Sequence, residues 1–279
     1  MVEGKRADLR RMGYEQNNQY KRLLAFVIFL IAALSLITAT FLNPIFMKKQ
    51  IRTSYNRAVV VRQVNKNYDS LADLINADSE DNSNLLSDTQ TQPIADHIID
   101  YSLGIHWFKV TSLPLANQIL SDIDQGIAKG SSSGAQEVNR KLKKQGTNAP
   151  YAIIKAFNLS VITLGANIAG LLFIVNLIII IVTIITMVSL LNDMKSRATI
   201  RMVIHDTMAA GMWAGFWLIL ISGLLALVPV IFNVDNIEFG FLLEIGSSVF
   251  LEYVIAGVIF TSFVRYHGKL QLLNKNEKT

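Results

Sequence analysis

Four apolar runs with very unequal spacing constrain this chain more than any other feature: Leu23–Leu42, Ala156–Leu191, Met208–Phe232 and Phe239–Phe263. Each is nearly free of charge and reaches the length of about 20 residues that an α-helix needs to cross roughly 30 Å of hydrocarbon. The pattern predicts an all-α integral membrane protein with four transmembrane helices. The first two runs are separated by residues 43–155, whereas the later connections, 192–207 and 233–238, are short. One sizeable domain is therefore expected on a single side of the bilayer.

The 51% of hydrophobic residues and the mean hydropathy of +0.37 are concentrated in those runs and exceed what a soluble domain shows. A net charge of +5 does not point to nucleic acid, because Lys and Arg gather beside the apolar runs and in the long connection. The chain has no cysteine, which excludes disulfides, zinc-thiolate sites and thiol nucleophiles.

Orientation follows from the distribution of Lys and Arg over the short segments. The N-terminal segment 1–22 holds Lys5, Arg6, Arg10, Arg11, Lys21 and Arg22, the 192–207 link holds Lys195, Arg197 and Arg201, and the tail 264–279 holds Arg265, Lys269, Lys275 and Lys278. All three are expected in the cytoplasm. The 233–238 connection has Asp235 and Glu238 and no basic residue, as an outside loop should. Lys48, Lys49, Arg52 and Arg57 oppose this count, but long connections translocate largely regardless of charge. The expectation is a multi-pass protein of the cell membrane with both termini inside, and with the first run as an uncleaved signal anchor.

Residues 43–155 read as a small extracytoplasmic helical domain. Asn43 and Pro44 close the first run, and Val61, Val64, Tyr68, Leu71 and Ile75 recur at the spacing of one helical face. The polar, acidic stretch Asp78–Pro93 is expected as a loop, followed by a short helix from Ile94 to Leu103 that Gly104 ends. Trp107, Phe108, Val110 and Leu113 form an apolar patch before Pro114, and Leu115, Ile119, Ile123 and Ile127 line the next helix. Gly130–Gly134 is a break, and Ala135–Gln145 is a basic helix with Arg140, Lys141, Lys143 and Lys144. Asp96, His97, Asp100 and His106 are the one grouping there that invites a metal reading. They lack a ligand spacing such as H-x-x-x-H, so a solvated helix face is the expectation and no metal or cofactor is assigned.

The candidate functional residues lie in the apolar runs. The second run is 36 residues long, about 54 Å as one helix, so it either rises above the bilayer as a stalk or breaks near Gly165 and Gly170. Asn176 and Thr183 share a face of it and suit hydrogen bonding between helices. In the third run Gly211 and Gly215 favour close helix packing. The fourth run holds Glu252 near its middle, with Ser248 one turn and Glu244 two turns away. A carboxylate in hydrocarbon is costly, and no Lys or Arg lies in any of the four runs. Glu252 is therefore expected to be neutral, hydrogen-bonded to groups such as Asn176, Thr183 or Ser222, or matched by a cation or a partner subunit.

No phosphate-binding glycine loop, nucleophile elbow or metalloprotease pattern appears, so a non-enzymatic protein is expected. The layout of one run, a large external domain, a long second helix, a short basic link and two further runs resembles the four-span permeases of the FtsX and MacB type. The stretch Ile174–Gly215 is similar in texture to their second span, coupling segment and third span, although His205 and Asp206 stand where that family has a small-residue turn. The resemblance implies a permease-like subunit that moves with a partner ATPase, with Lys195, Arg197 and Arg201 in the contact. Two other readings stay open: a signal-transmitting envelope subunit whose external domain binds a partner, and a small transporter subunit using Glu252 as a proton or cation site. Besides the lipid bilayer, the expected partners are an ATPase, another membrane subunit or a second copy of the chain.

Overall fold

Helix boundaries fall where side chains take over the backbone groups that a helix end leaves unpaired. The computed structural model describes the backbone of residues 2–77, 85–104, 108–127, 132–232 and 240–276, and side chains within that set from 18 to 266, except 240. Among the described residues there are eleven α-helices and no strand. The expected loop acids Asp78, Glu80 and Asp81, together with His106, Trp107, Gly130, Asp235 and Glu238, lie outside the described residues.

Helix α1 runs Val2–Ala39, and α2 occupies Pro44–Ile51. Asn43 caps α2, its side chain accepting from the amides of Ile45 and Phe46 at 3.0 and 3.3 Å, with Pro44 in the first turn. α3 is Ser54–Leu74 and α4 is Asp88–Leu103. α4 thus starts earlier than the expected Ile94, because the Ser87 amide donates to Gln90 Oε1 at 2.8 Å, one half of a capping box, and it carries Pro93 inside it. α5 (Leu113–Ile127), α6 (Ser133–Lys144) and α7 (Ala149–Ala156) follow. α8 is one unbroken helix, Leu159–Arg197, passing through both Gly165 and Gly170. The interruption in the second run falls instead at Asn158, whose φ of 50° is left-handed, a conformation asparagine tolerates better than most residues. α9 is Ile200–Ala226, α10 is the single turn Val228–Ile231 carrying Pro229, and α11 is Gly240–Asn276.

Four helical segments are long and apolar enough to cross a membrane: Asn18–Ala39, Leu159–Arg197, Ile200–Ile231 and Phe241–Tyr266. They carry most of the exposed large apolar side chains, among them Ile181, Val182, Phe216, Leu224, Ile255 and Ile259.

The chain divides into two compact units. The first comprises 1–37, 176–231 and 247–279. Its buried apolar cluster joins α1 through Leu24, α8 through Met194, and α9 through Val203 and Ala210. The second comprises 38–175 and 232–246. Its core takes Val64, Tyr68, Leu71 and Ile75 from the end of α3, and Leu115, Ile119, Ile123 and Ile127 from α5. Both stripes are those set by the three-four spacing. Val138 and Leu142 of α6, Ile153 of α7 and Leu159 at the start of α8 complete it. Burial pushes the Tyr68 phenol well above its ordinary range, and its hydroxyl donates to the Ala135 carbonyl at 3.2 Å.

One buried amide fixes the approach to α4. Asn65, 3% exposed, donates from Nδ2 to the carbonyls of Val61 and Leu86, both at 3.0 Å, and its Oδ1 accepts from the Leu86 amide at 2.8 Å. Leu86 is itself 1% exposed, so water cannot replace this partner. Asn65→Leu is expected to cost about 2–4 kcal/mol by stranding two buried backbone groups, read as a lower midpoint in thermal unfolding of the purified protein.

Candidate functional site

The first unit carries a polar cluster where α1, α8 and α9 meet. Tyr20 on α1 donates its hydroxyl to Asp193 Oδ2 of α8 at 2.5 Å, and Arg197, one turn further on, reaches Asp193 Oδ1 at 3.1 Å. The Arg197 guanidinium also lies 5.7 Å from the centre of the Tyr20 ring. Beside this, Lys21 pairs with Asp206 of α9 at 2.9 Å, and Asp206 is only 3% exposed. His205 Nδ1 lies 3.5 Å from the same carboxylate. Removing Lys21 would leave a buried charge without its main partner, the costly half of any buried pair. Asp206 lies in the second turn of α9, and the signal in the sequence for this pairing is an acid near the start of an apolar helix in a chain with basic residues just before its first run.

Of the three basic residues expected to meet a partner, Arg197 is engaged within the chain. Lys195 and Arg201 are exposed and form no ion pair among the described residues. The link between α8 and α9 is short, Ala198 and Thr199, so these two cations stand close in sequence on either side of it.

α9 and α11 approach through glycines. A Cβ on Gly257 would sit 2.7 Å from Ile219 Cγ1 and 3.4 Å from the Gly215 carbonyl, while one on Gly215 would overlap the Thr261 hydroxyl. A Cβ on Gly211 would make only ordinary contact, 3.5 Å from Val264. Gly215 thus meets the expectation of close packing, and Gly257, on the other helix, is the partner that no local spacing announced.

The same crossing sets the level of Glu252. Ser247 Oγ donates to the Ala226 carbonyl at 2.8 Å, and Val254 packs 3.9 Å from the position of a Gly223 Cβ. Glu252 therefore stands level with the last turn of α9. It is exposed, with no hydrogen-bond or ion-pair partner among the described residues. The polar groups considered for it are committed elsewhere: Asn176 donates to the Leu34 carbonyl at 3.0 Å, and Thr183 to the Ile179 carbonyl of its own helix at 2.6 Å. Ser222 is buried at 3% exposure.

Glu244 has a different environment. It belongs to the second unit, is 8% exposed, and pairs with Arg62 of α3 at 2.7 Å. The two acids diverge because eight residues along an α-helix turn about 80° past the starting face. Ser248 is half-buried between them.

In the second unit an open groove lies between α2 and α4. Lys48 pairs with Asp100 at 2.7 Å and Arg52 with Asp96 at 2.5 Å, while His97 turns away to Asp122 at 2.7 Å. The expected acid-histidine grouping is thus divided among three separate partners. No cluster of three or more metal-ligating side chains occurs among the described residues. Nearby, Lys143 and Asn139 hold the Asp124 carboxyl below its ordinary range.

Comparison with family models, with curated proteins and with solved structures finds no match to this chain.

The glycine crossing yields a paired expectation. Gly257→Ala should destabilise the protein by about 1–3 kcal/mol through overpacking. Gly165→Ala, where a Cβ meets nothing within 4 Å, should be neutral or raise stability by roughly 0.5–1 kcal/mol. Thermal unfolding of both variants in one detergent checks the contrast.

Proposed function

We propose that this chain is a non-enzymatic, multi-pass protein of the cell membrane that couples an extracytoplasmic partner-binding domain to a cytoplasmic contact surface. The observation that carries this reading is α8. Its first turns belong to the core of the helical unit, with Leu159 fully buried, and its last turn bonds to α1 through Asp193 and Tyr20. Its middle is the most apolar of the four membrane-length segments. A single helix shared in this way favours a protein that transmits mechanical or signalling state, whether permease-like or sensory. The 43–155 domain is then external, and Lys195 and Arg201 are the cytoplasmic cations left for a partner, of which an ATPase is the first candidate.

The test is charge reversal. Lys195→Glu with Arg201→Glu should abolish copurification of a partner ATPase at unchanged expression, whereas Arg197→Glu should also lower stability because it breaks the Asp193 and Tyr20 contacts. Recovery of no ATPase with the wild-type protein would defeat the permease-like form of the proposal.

Exposure of Glu252 without a partner supports the second reading, a transporter subunit whose proton or cation site is completed by another subunit. In that case Glu252→Gln abolishes transport in reconstituted vesicles at normal expression. Full activity in that variant would remove the reading.

A further inference from the structure

The segment Phe108–Val110 joins α4 to α5, and it is held with unusual firmness for a stretch outside any helix. Asn167 of α8 grips Lys109 twice: its Oδ1 accepts from the Lys109 amide at 2.7 Å, and its Nδ2 donates to the Lys109 carbonyl at 3.0 Å. Tyr101 holds the following residue, donating its hydroxyl to the Thr111 carbonyl at 2.9 Å and lying 3.0 Å from the Thr163 hydroxyl, also on α8. Apolar side chains in a segment so ordered would normally turn inward. Here Phe108 is 73% and Val110 97% exposed. Lys109 between them is only half-buried, and its ammonium lies 5.2 Å from the centre of the Tyr101 ring.

The clasp also fixes where along α8 this exposed pair sits. Leu164 and Leu171, 59% and 52% exposed, flank Asn167 at about 60° and 40° around the helix, so an apolar stripe of α8 runs beside the segment. Asn167 precedes Leu191, the last residue before the charged link, by 24 residues, about 36 Å along the axis. Hydrocarbon is about 30 Å thick, and the headgroup layers bring a bilayer to about 40–45 Å. With Leu191 at one hydrocarbon boundary, Asn167 falls about 6 Å beyond the other, within the headgroup layer.

We propose that Phe108–Val110 is a membrane-surface anchor: Phe108 and Val110 dip to the boundary between headgroups and acyl chains, and Asn167 holds the segment at that depth. The ligand is the lipid surface on the side of the helical domain. An aromatic and a branched aliphatic residue beside a lysine suit that layer, where apolar bodies and a cation are both accommodated. The anchor stops the helical domain from tilting freely about α8. It rests on the reading of α8 as a membrane-crossing helix, and the experiment separates the two.

The chain has no native cysteine, so single cysteines can carry an environment-sensitive fluorophore without background. The full-length variants Val110→Cys, Val182→Cys in the middle of α8, and Tyr55→Cys in α3 would be labelled and reconstituted into vesicles of phosphatidylcholine with a minor share of phosphatidylglycerol. Spin labels would be placed either near the headgroup or near the end of the acyl chain. The Val110 probe should be quenched about twofold more by the shallow label than by the deep one, with blue-shifted emission. The Val182 probe should favour the deep label, and the Tyr55 probe should respond only to aqueous iodide. A Val110 probe as open to iodide as the Tyr55 probe, alongside a deeply quenched Val182 probe, overturns the anchor while leaving α8 in the membrane, and assigns the exposed pair to a protein partner. A Val182 probe open to iodide overturns the span and the anchor together.

Discussion

The structure depends on the self-sufficiency of one hydrogen-bonded helix. α8 satisfies its own backbone groups over 39 residues, which is the condition for a chain to enter hydrocarbon. It also lets one element belong to two compact units at once. At its start the helix contributes Leu159, Thr163 and Asn167 to the helical unit, and at its end Met194 and Asp193 to the cluster with α1 and α9. Most other features arrange partners for one end or the other.

Asparagine is the residue that makes those arrangements at the joints. Asn43 caps α2, Asn65 closes the backbone around Leu86, Asn167 grips Lys109, and Asn176 donates to the Leu34 carbonyl. A side-chain amide carries both a donor and an acceptor, so one residue can replace a full pair of backbone bonds where two segments meet out of register. Hydrophobic burial gives the helical unit its bulk stability, but these amides decide which loop lies against which helix. The price of that economy is that each such site fails as a unit when the amide is removed.

Legibility of the sequence followed the range of each interaction. The faces of α3 and α5 were readable because residues three and four apart report on the same contact surface, and Tyr68, Leu71, Ile119 and Ile123 are all essentially inaccessible. The four membrane-length segments were readable because hydrocarbon imposes a length. Pairings such as Arg62 with Glu244, or Lys21 with Asp206, join residues 182 and 185 positions apart, and nothing local marks them. Gly257 has no second glycine three or four residues away on its own helix, so only its neighbours on α9 reveal why it is small. For the second run two alternatives stood open, a stalk or a break near Gly165 and Gly170: glycine permits a bend without requiring one, α8 runs unbroken through both, and the interruption lies at Asn158.

That asparagine fixes the direction in which α8 leaves the helical unit. Phe157 before it and Leu159 after it are 2% and 0% exposed, so the left-handed turn is clamped on both sides by one apolar core. The Tyr101–Thr163 bond and the Asn167 clasp continue that hold to about 13 Å along the helix. The change of helix direction is therefore a property of packed side chains and not of a loop, and it alters only if those side chains rearrange.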